Sequence, residues 1–136
     1  MSRPIYAEID LNALKHNLAR IRECAAGRDV WAVVKANAYG HGLENAVKAF
    51  ADADGLATID LCDAERARNA GWTRRILLLE GFFDASDIEP LQRLKVETII
   101  HSPWQIEILR RAKLEDVRCH IKVNSRQSHK FERIVL

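Results

Sequence analysis

Short apolar runs alternate with helical patterns along all 136 residues, and this alternation constrains the fold more than any other feature. Six runs are expected to form strands: "PIYAEI", "VWAVVK", "GLATI", "RILLLEG", "VETIIH" and "VRCHIKVN". Because a helix between two strands makes them parallel, the pattern predicts an α/β fold with a parallel sheet. A doubly wound sheet and a (β/α) barrel both fit. About five to six βα units are present, whereas a full barrel has eight in about 250 residues, so any barrel would be incomplete.

Capping residues and apolar spacing locate the helices. Asp10 is a favourable N-cap for a helix that ends near Gly27, and Ser102 with Pro103 gives a second start signal. The expected inner faces have helical spacing. They comprise Leu11, Leu14, Leu18 and Ile21; Leu43, Ala46, Val47 and Phe50; and Ile88, Leu91 and Leu94. The short segment "DAERARNAG" is expected to form a further helix ending near Gly71.

The totals exclude several classes of protein. A formal net charge of +2 gives no electrostatic reason to expect nucleic acid or a membrane as a partner. Cys24, Cys62 and Cys119 lack the spacing of a zinc site or a disulfide framework, so no metal is expected. We expect these thiols to be reduced and mostly buried. The N-terminus has no apolar signal segment, which favours a cytoplasmic location.

The segment "VWAVVKANAYGHG" is the strongest candidate site. In parallel α/β folds the carboxyl ends of the strands form the working face, and Lys35 is at such an end. A lysine partly removed from water loses its charge more easily, and the neutral amine is a nucleophile able to form a Schiff base. Tyr39 could donate to a phosphate, and Gly40 and Gly42 allow sharp turns. Alternatively, Lys35 ends the strand only because the chain reaches solvent there.

The motif "AVVKANAYGHG" closely resembles the cofactor-lysine signature of the alanine racemases, pyridoxal-phosphate enzymes with a fold-type III barrel. Four further segments resemble the same family: "AEIDLNALKHNL", "ILLLEGF", "HSPWQIEIL" and "HIKVNS". The resemblance runs from Ile5 to about Ser125. It implies an N-terminal part of the alanine racemase barrel, cytoplasmic D-alanine synthesis for the cell wall, and a homodimer in the full-length family.

The resemblance implies roles for individual residues. Lys35 would carry pyridoxal 5'-phosphate as an internal aldimine and act as the base on the D-alanine side. Tyr39 would hydrogen-bond the cofactor phosphate, and Lys122 matches a lysine that is often carbamylated. His41 is within the motif, but we interpret this loop histidine as structural. The opposite base in the family is a tyrosine from the C-terminal domain of the partner subunit.

The resemblance ends after Ser125. The family continues with a "GMxRLG" segment, but the chain reads "RQSHKFERIVL", with Arg126 at the expected glycine and His129 at the expected arginine. We therefore divide the chain into a partial barrel domain, 1–125, and a divergent tail, 126–136. This division predicts a truncated racemase with little activity alone.

Three functions follow as hypotheses: a truncated alanine racemase, a non-racemising pyridoxal-phosphate-binding barrel, and a non-functional fragment prone to interaction. For any of them, an unclosed sheet would expose strand edges and favour self-association.

Overall fold

The computed structural model describes residues 4–112 and 117–123, and within them the chain forms one parallel sheet. Its strands are β1 (Trp31–Val33), β2 (Gly55–Thr58), β3 (Arg75–Leu78), β4 (Glu97–Ile100) and β5 (Cys119–Ile121). Each strand pairs in parallel with the next in sequence, so the spatial order is β1-β2-β3-β4-β5. This result confirms the predicted α/β class.

Helices connect consecutive strands or precede the first one. They are α1 (Leu11–Ala25), α2 (Leu43–Ala49), α3 (Leu61–Asn69), α4 (Ile88–Arg93) and α5 (Pro103–Ala112). A short 3₁₀ turn, Ala85–Asp87, leads into α4. The predicted N-cap of α1 is confirmed, because the Asp10 carboxylate accepts hydrogen bonds from two amides of the first turn.

The strand order distinguishes between the two architectures left open by the sequence. A doubly wound sheet reverses its strand order at a switch point, whereas a barrel adds strands in sequence order. Within the described residues the order never reverses, so the arrangement is that of a barrel wall. β1 and β5 are its outer strands.

Side-chain burial shows which face of the sheet is covered. On β3, Ile76 and Leu78 are buried while Arg75 and Leu77 are only half-buried. The core cluster joins this covered face to apolar residues of the helices, among them Leu18, Leu43 and Leu91. The helices therefore cover one face and leave the other partly open. No helix in the described part of the chain is long and apolar enough to cross a membrane.

Two strand predictions were wrong, one in the existence of the strand and the other in its length and burial. The described residues of "PIYAEI" form no strand, and Ile5 and Tyr6 are 82% and 86% exposed, because no neighbouring strand pairs with them. The sheet therefore has five described strands rather than six. The run "VWAVVK" was predicted to be buried on both faces, but β1 spans three residues and Val33 is 40% exposed, as expected of an outer strand.

The prediction that the cysteines are mostly buried was also wrong. Cys24, Cys62 and Cys119 are all exposed. Cys24 and Cys62 lie on the outer sides of α1 and α3, and Cys119 begins an outer strand. A small apolar side chain is tolerated at each of these surface positions.

Candidate functional site

Lys35, Tyr39 and Lys122 all follow the carboxyl end of a strand. The Val34 amide donates to the Ala57 carbonyl at 2.8 Å and so prolongs the pairing of β1 by one residue. Lys35 is the next residue and is half-buried. Tyr39 is 60% exposed in the same loop. Lys122 follows β5, where its amide donates to the Ile100 carbonyl at 2.9 Å. Lys35 and Lys122 thus share one edge of the sheet but follow its two opposite outer strands.

The segment after Lys35 forms a left-handed helical turn. Ala36, Asn37, Ala38 and Tyr39 have φ values of 53°, 53°, 54° and 53°, and Gly40 follows with φ 86°. The left-handed conformation costs an L-residue roughly 1–2 kcal/mol, and a run of four is rare. Backbone strain of this kind is a reason to look for a function. The turn gives the segment "VWAVVKANAYGHG" a shape that the sequence pattern did not predict.

Four amides in the turn and just after it donate to nearby backbone carbonyls. The Ala38 amide donates to the Val34 carbonyl at 2.8 Å, and the Gly42 amide donates to the Asn37 carbonyl at 3.0 Å. The Gly40 and His41 amides also donate to carbonyls of the turn. These four amides are therefore not free to bind an anion, whereas the exposed Tyr39 phenol can donate to one.

His41 makes a local contact. Its Nδ1 lies 2.9 Å from the Ala38 carbonyl oxygen. Because a carbonyl only accepts, Nδ1 must carry the proton and donate. This bond ties the ring to its own loop, which agrees with the structural interpretation of His41.

Asn37 and Arg66 are two residues of the site that the sequence did not reveal. The Asn37 Oδ1 accepts from the Leu43 amide at 3.1 Å and from Nη2 of Arg66, also at 3.1 Å. Two donors at one atom require that atom to be the amide oxygen. Asparagine tolerates the left-handed conformation better than most residues, which was a local signal. No such signal marked Arg66 in the sequence, because its position is typical of an ordinary charged residue on a helix surface.

Acidic residues hold the Arg66 guanidinium in place. It contacts both carboxylate oxygens of Glu44, at 2.9 and 3.0 Å from Nη2, and its Nη1 lies 3.2 Å from Asp63. A backbone hydrogen bond and then the bond from Arg66 hold the pKa of Glu44 below its ordinary value. The hydrogen bonds that Arg66 donates to Glu44 raise the pKa of Arg66. Both side chains are therefore charged at neutral pH.

Lys35 itself is outside these ion pairs. Among the described residues, no carboxylate lies within ion-pairing distance of its amine. A half-buried amine without an acidic partner is available to a ligand. Arg126 and His129, which we placed at the expected glycine and arginine positions of the family segment, lie outside the described residues.

A second charged cluster lies at the opposite, amino end of the strands. Glu97, at the start of β4, is contacted by Arg75 at 2.6 and 2.9 Å and by Nε2 of His120 at 2.7 Å. The Arg75 guanidinium also lies 4.6 Å from the centre of the Trp31 ring. Burial raises the pKa of Glu97, but the bonds from Arg75 and His120 outweigh burial and lower it. This cluster joins strands and is remote from Lys35 along the sheet.

Comparison with known protein families gives one extended match. The sequence model of the family described as "Alanine racemase, N-terminal domain" matches residues 9–131. The chain is 52% identical over 126 residues to an alanine racemase of Janthinobacterium sp., covering 92% of this chain and 35% of that protein. It is 46% identical to a catabolic alanine racemase of Salmonella typhimurium, with the same coverage. The chain thus spans about a third of the length of these relatives.

Solved structures give the same result for the fold. The biosynthetic alanine racemase of Pseudomonas aeruginosa matches with a TM-score of 0.80 and 41% identity, over 88% of this chain and 34% of that one. The alanine racemase of E. faecalis matches with a TM-score of 0.79 and 28% identity, over 89% and 34%. These matches confirm the expected architecture, which is part of a parallel barrel.

Proposed function

Because the chain belongs to the family of the alanine racemase N-terminal domain, we propose that it is the cofactor-lysine part of an enzyme that interconverts L-alanine and D-alanine. The observation that carries this proposal is the strained left-handed turn, which joins Lys35, half-buried and without an acidic partner among the described residues, to an exposed Tyr39. Both residues lie at the edge of the sheet where barrel enzymes have their active sites.

The residues at this edge fit pyridoxal 5'-phosphate, which offers an aldehyde and a phosphate. The Lys35 amine would hold the aldehyde carbon, and no carboxylate among the described residues competes for that amine. The Tyr39 phenol can donate to a phosphate oxygen. When bound, the cofactor supplies an electron sink for the bond between Cα of alanine and its hydrogen.

Lys35 has a second role in the proposal. Once its amine is free of the cofactor, Nζ would take the proton from Cα of alanine, or return it, on the D-alanine side. Racemisation needs a further base on the opposite face, and we infer that another part of the full-length enzyme supplies it. Lys122 shares the edge of the site, and its carbamylation remains a prediction. The homodimer and the cytoplasmic location also remain predictions.

The experiment measures covalent attachment and racemisation separately. The purified chain is incubated with pyridoxal phosphate and reduced with borohydride, and the modified lysine is identified by peptide mass spectrometry. We expect the adduct at Lys35, its loss in Lys35→Met, and its retention in the matched variant Lys122→Met. Labelling that is spread over several lysines, or that persists in Lys35→Met, would show that Lys35 is not the cofactor lysine.

A coupled assay for D-alanine then tests whether the chain alone can racemise alanine. We expect cofactor attachment with very little racemisation by the 136-residue chain alone, because we infer that another part of the full-length enzyme supplies the opposite base. Robust D-alanine formation would show that the chain contains both bases. Absence of any adduct would favour the non-functional fragment.

A further inference from the structure

Arg66 contacts the cofactor-lysine loop from a different helix. It is the sixth residue of α3, and its guanidinium reaches Asn37 in the left-handed turn and Glu44 in α2. Asp63, one turn earlier on α3, supplies a third contact and itself accepts from the buried Thr58 hydroxyl at 3.4 Å. A continuous set of hydrogen bonds therefore runs from the end of β2 to the turn.

Asn37 connects this set to α2. Gly42 precedes α2 and offers no side chain to cap it. The Leu43 amide, which opens the helix, instead donates to the Asn37 Oδ1. A helix start without a capping acceptor loses stability. The same oxygen thus fixes the turn relative to α2 and accepts the hydrogen bond from Arg66.

We propose that Arg66 is a positioning residue that holds the left-handed turn, and with it Lys35 and Tyr39, in the conformation that receives the cofactor. The role of the turn rests on the proposed function. The contact between Arg66 and Asn37 does not, and it can be tested without any cofactor.

The matched control is Arg93. Like Arg66 it is half-exposed and bridges two helices, because its guanidinium on α4 lies 3.0 Å from Glu65 on α3 and 3.3 Å from Glu89. Unlike Arg66, it has no described contact with the turn. Arg66→Met and Arg93→Met each keep most of the aliphatic stem and remove the donors, so both are expected to fold. Arg66→Lys restores one charged donor.

The first measurement is amide hydrogen exchange of the cofactor-free chain, followed residue by residue by NMR. Loss of one hydrogen bond to Asn37 is expected to speed exchange at the Leu43 amide about fivefold in Arg66→Met. Arg93→Met should leave that rate unchanged, and Arg66→Lys should recover part of the protection. Equal rates at Leu43 in Arg66→Met and Arg93→Met would overturn the proposal.

The second measurement is the rate of borohydride-trapped attachment of pyridoxal phosphate at Lys35. We expect attachment to be about fivefold slower in Arg66→Met than in the wild type, with Arg93→Met as the reference. If the wild type acquires no adduct, the proposed function fails, while the exchange result still decides the role of Arg66. If exchange changes at Leu43 but attachment does not, Arg66 holds the turn without positioning Lys35, and this inference is wrong.

Discussion

The ring of Trp31 lies directly against the Cα of Gly55, so that a methyl group added to Gly55 would come within 2.3 Å of the ring. The two residues are register partners on β1 and β2. Gly55 has no left-handed backbone, so the glycine is required by space rather than by conformation. Trp31 is further held by the Arg75 guanidinium.

Replacing Gly55 with alanine is therefore expected to destabilise the chain. Gly55→Ala should lower the free energy of unfolding by about 1–3 kcal/mol, because the ring must move out of a packed position. Denaturant titration measures the loss. In a Trp31→Ala background the same substitution should cost much less, and an equal cost in both backgrounds would refute the explanation by contact.

The Glu97 cluster predicts how stability depends on pH. The pKa of the Glu97 carboxyl is below the ordinary value of 4.5 in the folded chain, so below about pH 4.5 the unfolded chain binds more protons than the folded chain. The contribution of Glu97 is fully present above about pH 4.5 and is lost as the pH falls through the lower folded value. Glu97→Gln should therefore reduce stability by about 1–3 kcal/mol at pH 7 and flatten the acid limb.

Thermal unfolding between pH 3 and pH 7 provides the measurement. Glu89→Gln is the matched control, because Glu89 also pairs with an arginine but its side chain is 73% exposed. The control should change stability by less than about 1 kcal/mol. Parallel acid limbs in the wild type and in Glu97→Gln would exclude Glu97 as the titrating group.

The left-handed turn reverses the usual effect of glycine. Ala36 is exposed with φ 53°, a conformation that costs an L-residue roughly 1–2 kcal/mol but costs glycine little. The greater chain entropy of glycine when unfolded offsets about 0.5–1 kcal/mol of that gain. Ala36→Gly should therefore leave stability unchanged or raise it by up to about 1.5 kcal/mol.

Ala19→Gly is the control for this prediction. Ala19 is exposed on the right-handed helix α1, where glycine should lower stability by about 1 kcal/mol. Denaturant titration of both variants gives the comparison. Destabilisation of similar size at both positions would mean that residue 36 is not left-handed in solution.

The outer strands predict self-association of the isolated chain. Ile121 on β5 is 66% exposed and Val123 beyond it is 78% exposed. Exposed apolar strand edges pair readily with other chains. Size-exclusion chromatography with light scattering should show concentration-dependent oligomers, and Ile121→Lys should shift them towards monomer.

Ile21→Lys is the control for association, because Ile21 is 55% exposed but lies on a helix. It should affect association much less than Ile121→Lys. A wild-type chain that stays monomeric at all concentrations would contradict the prediction.

Elements that pack against a neighbouring element were predictable from the sequence, and segments that lack such a neighbour were not. The inner face of α2 was predicted correctly because Leu43, Ala46 and Val47 pack into the core. The apolar "PIYAEI" segment was mistaken for a strand because strand-forming residues show that a strand is compatible, not that a neighbouring strand exists. The length and burial of β1 were overestimated for the same reason, since β1 is an outer strand with a described neighbour on one side only.

The site shows the same limit. Lys35 and Tyr39 could be selected from a local motif, but the turn between them could not. The segment "KANAY" has good right-handed helix formers, so local propensity gives the wrong hand. In the left-handed conformation Asn37 instead contacts Leu43 and Arg66. Arg66 lies 29 residues away, and such a contact leaves no local pattern in the sequence.

The turn also has a consequence for the chirality of the chain. An amino acid of D configuration prefers the dihedral angles that Ala36 adopts, because its energy surface is the mirror image of that of the L residue. A chain assembled by chemical ligation could carry such a residue at position 36 and keep its fold. The cofactor-lysine loop is thus a place where a stereochemically inverted building block would suit the natural backbone.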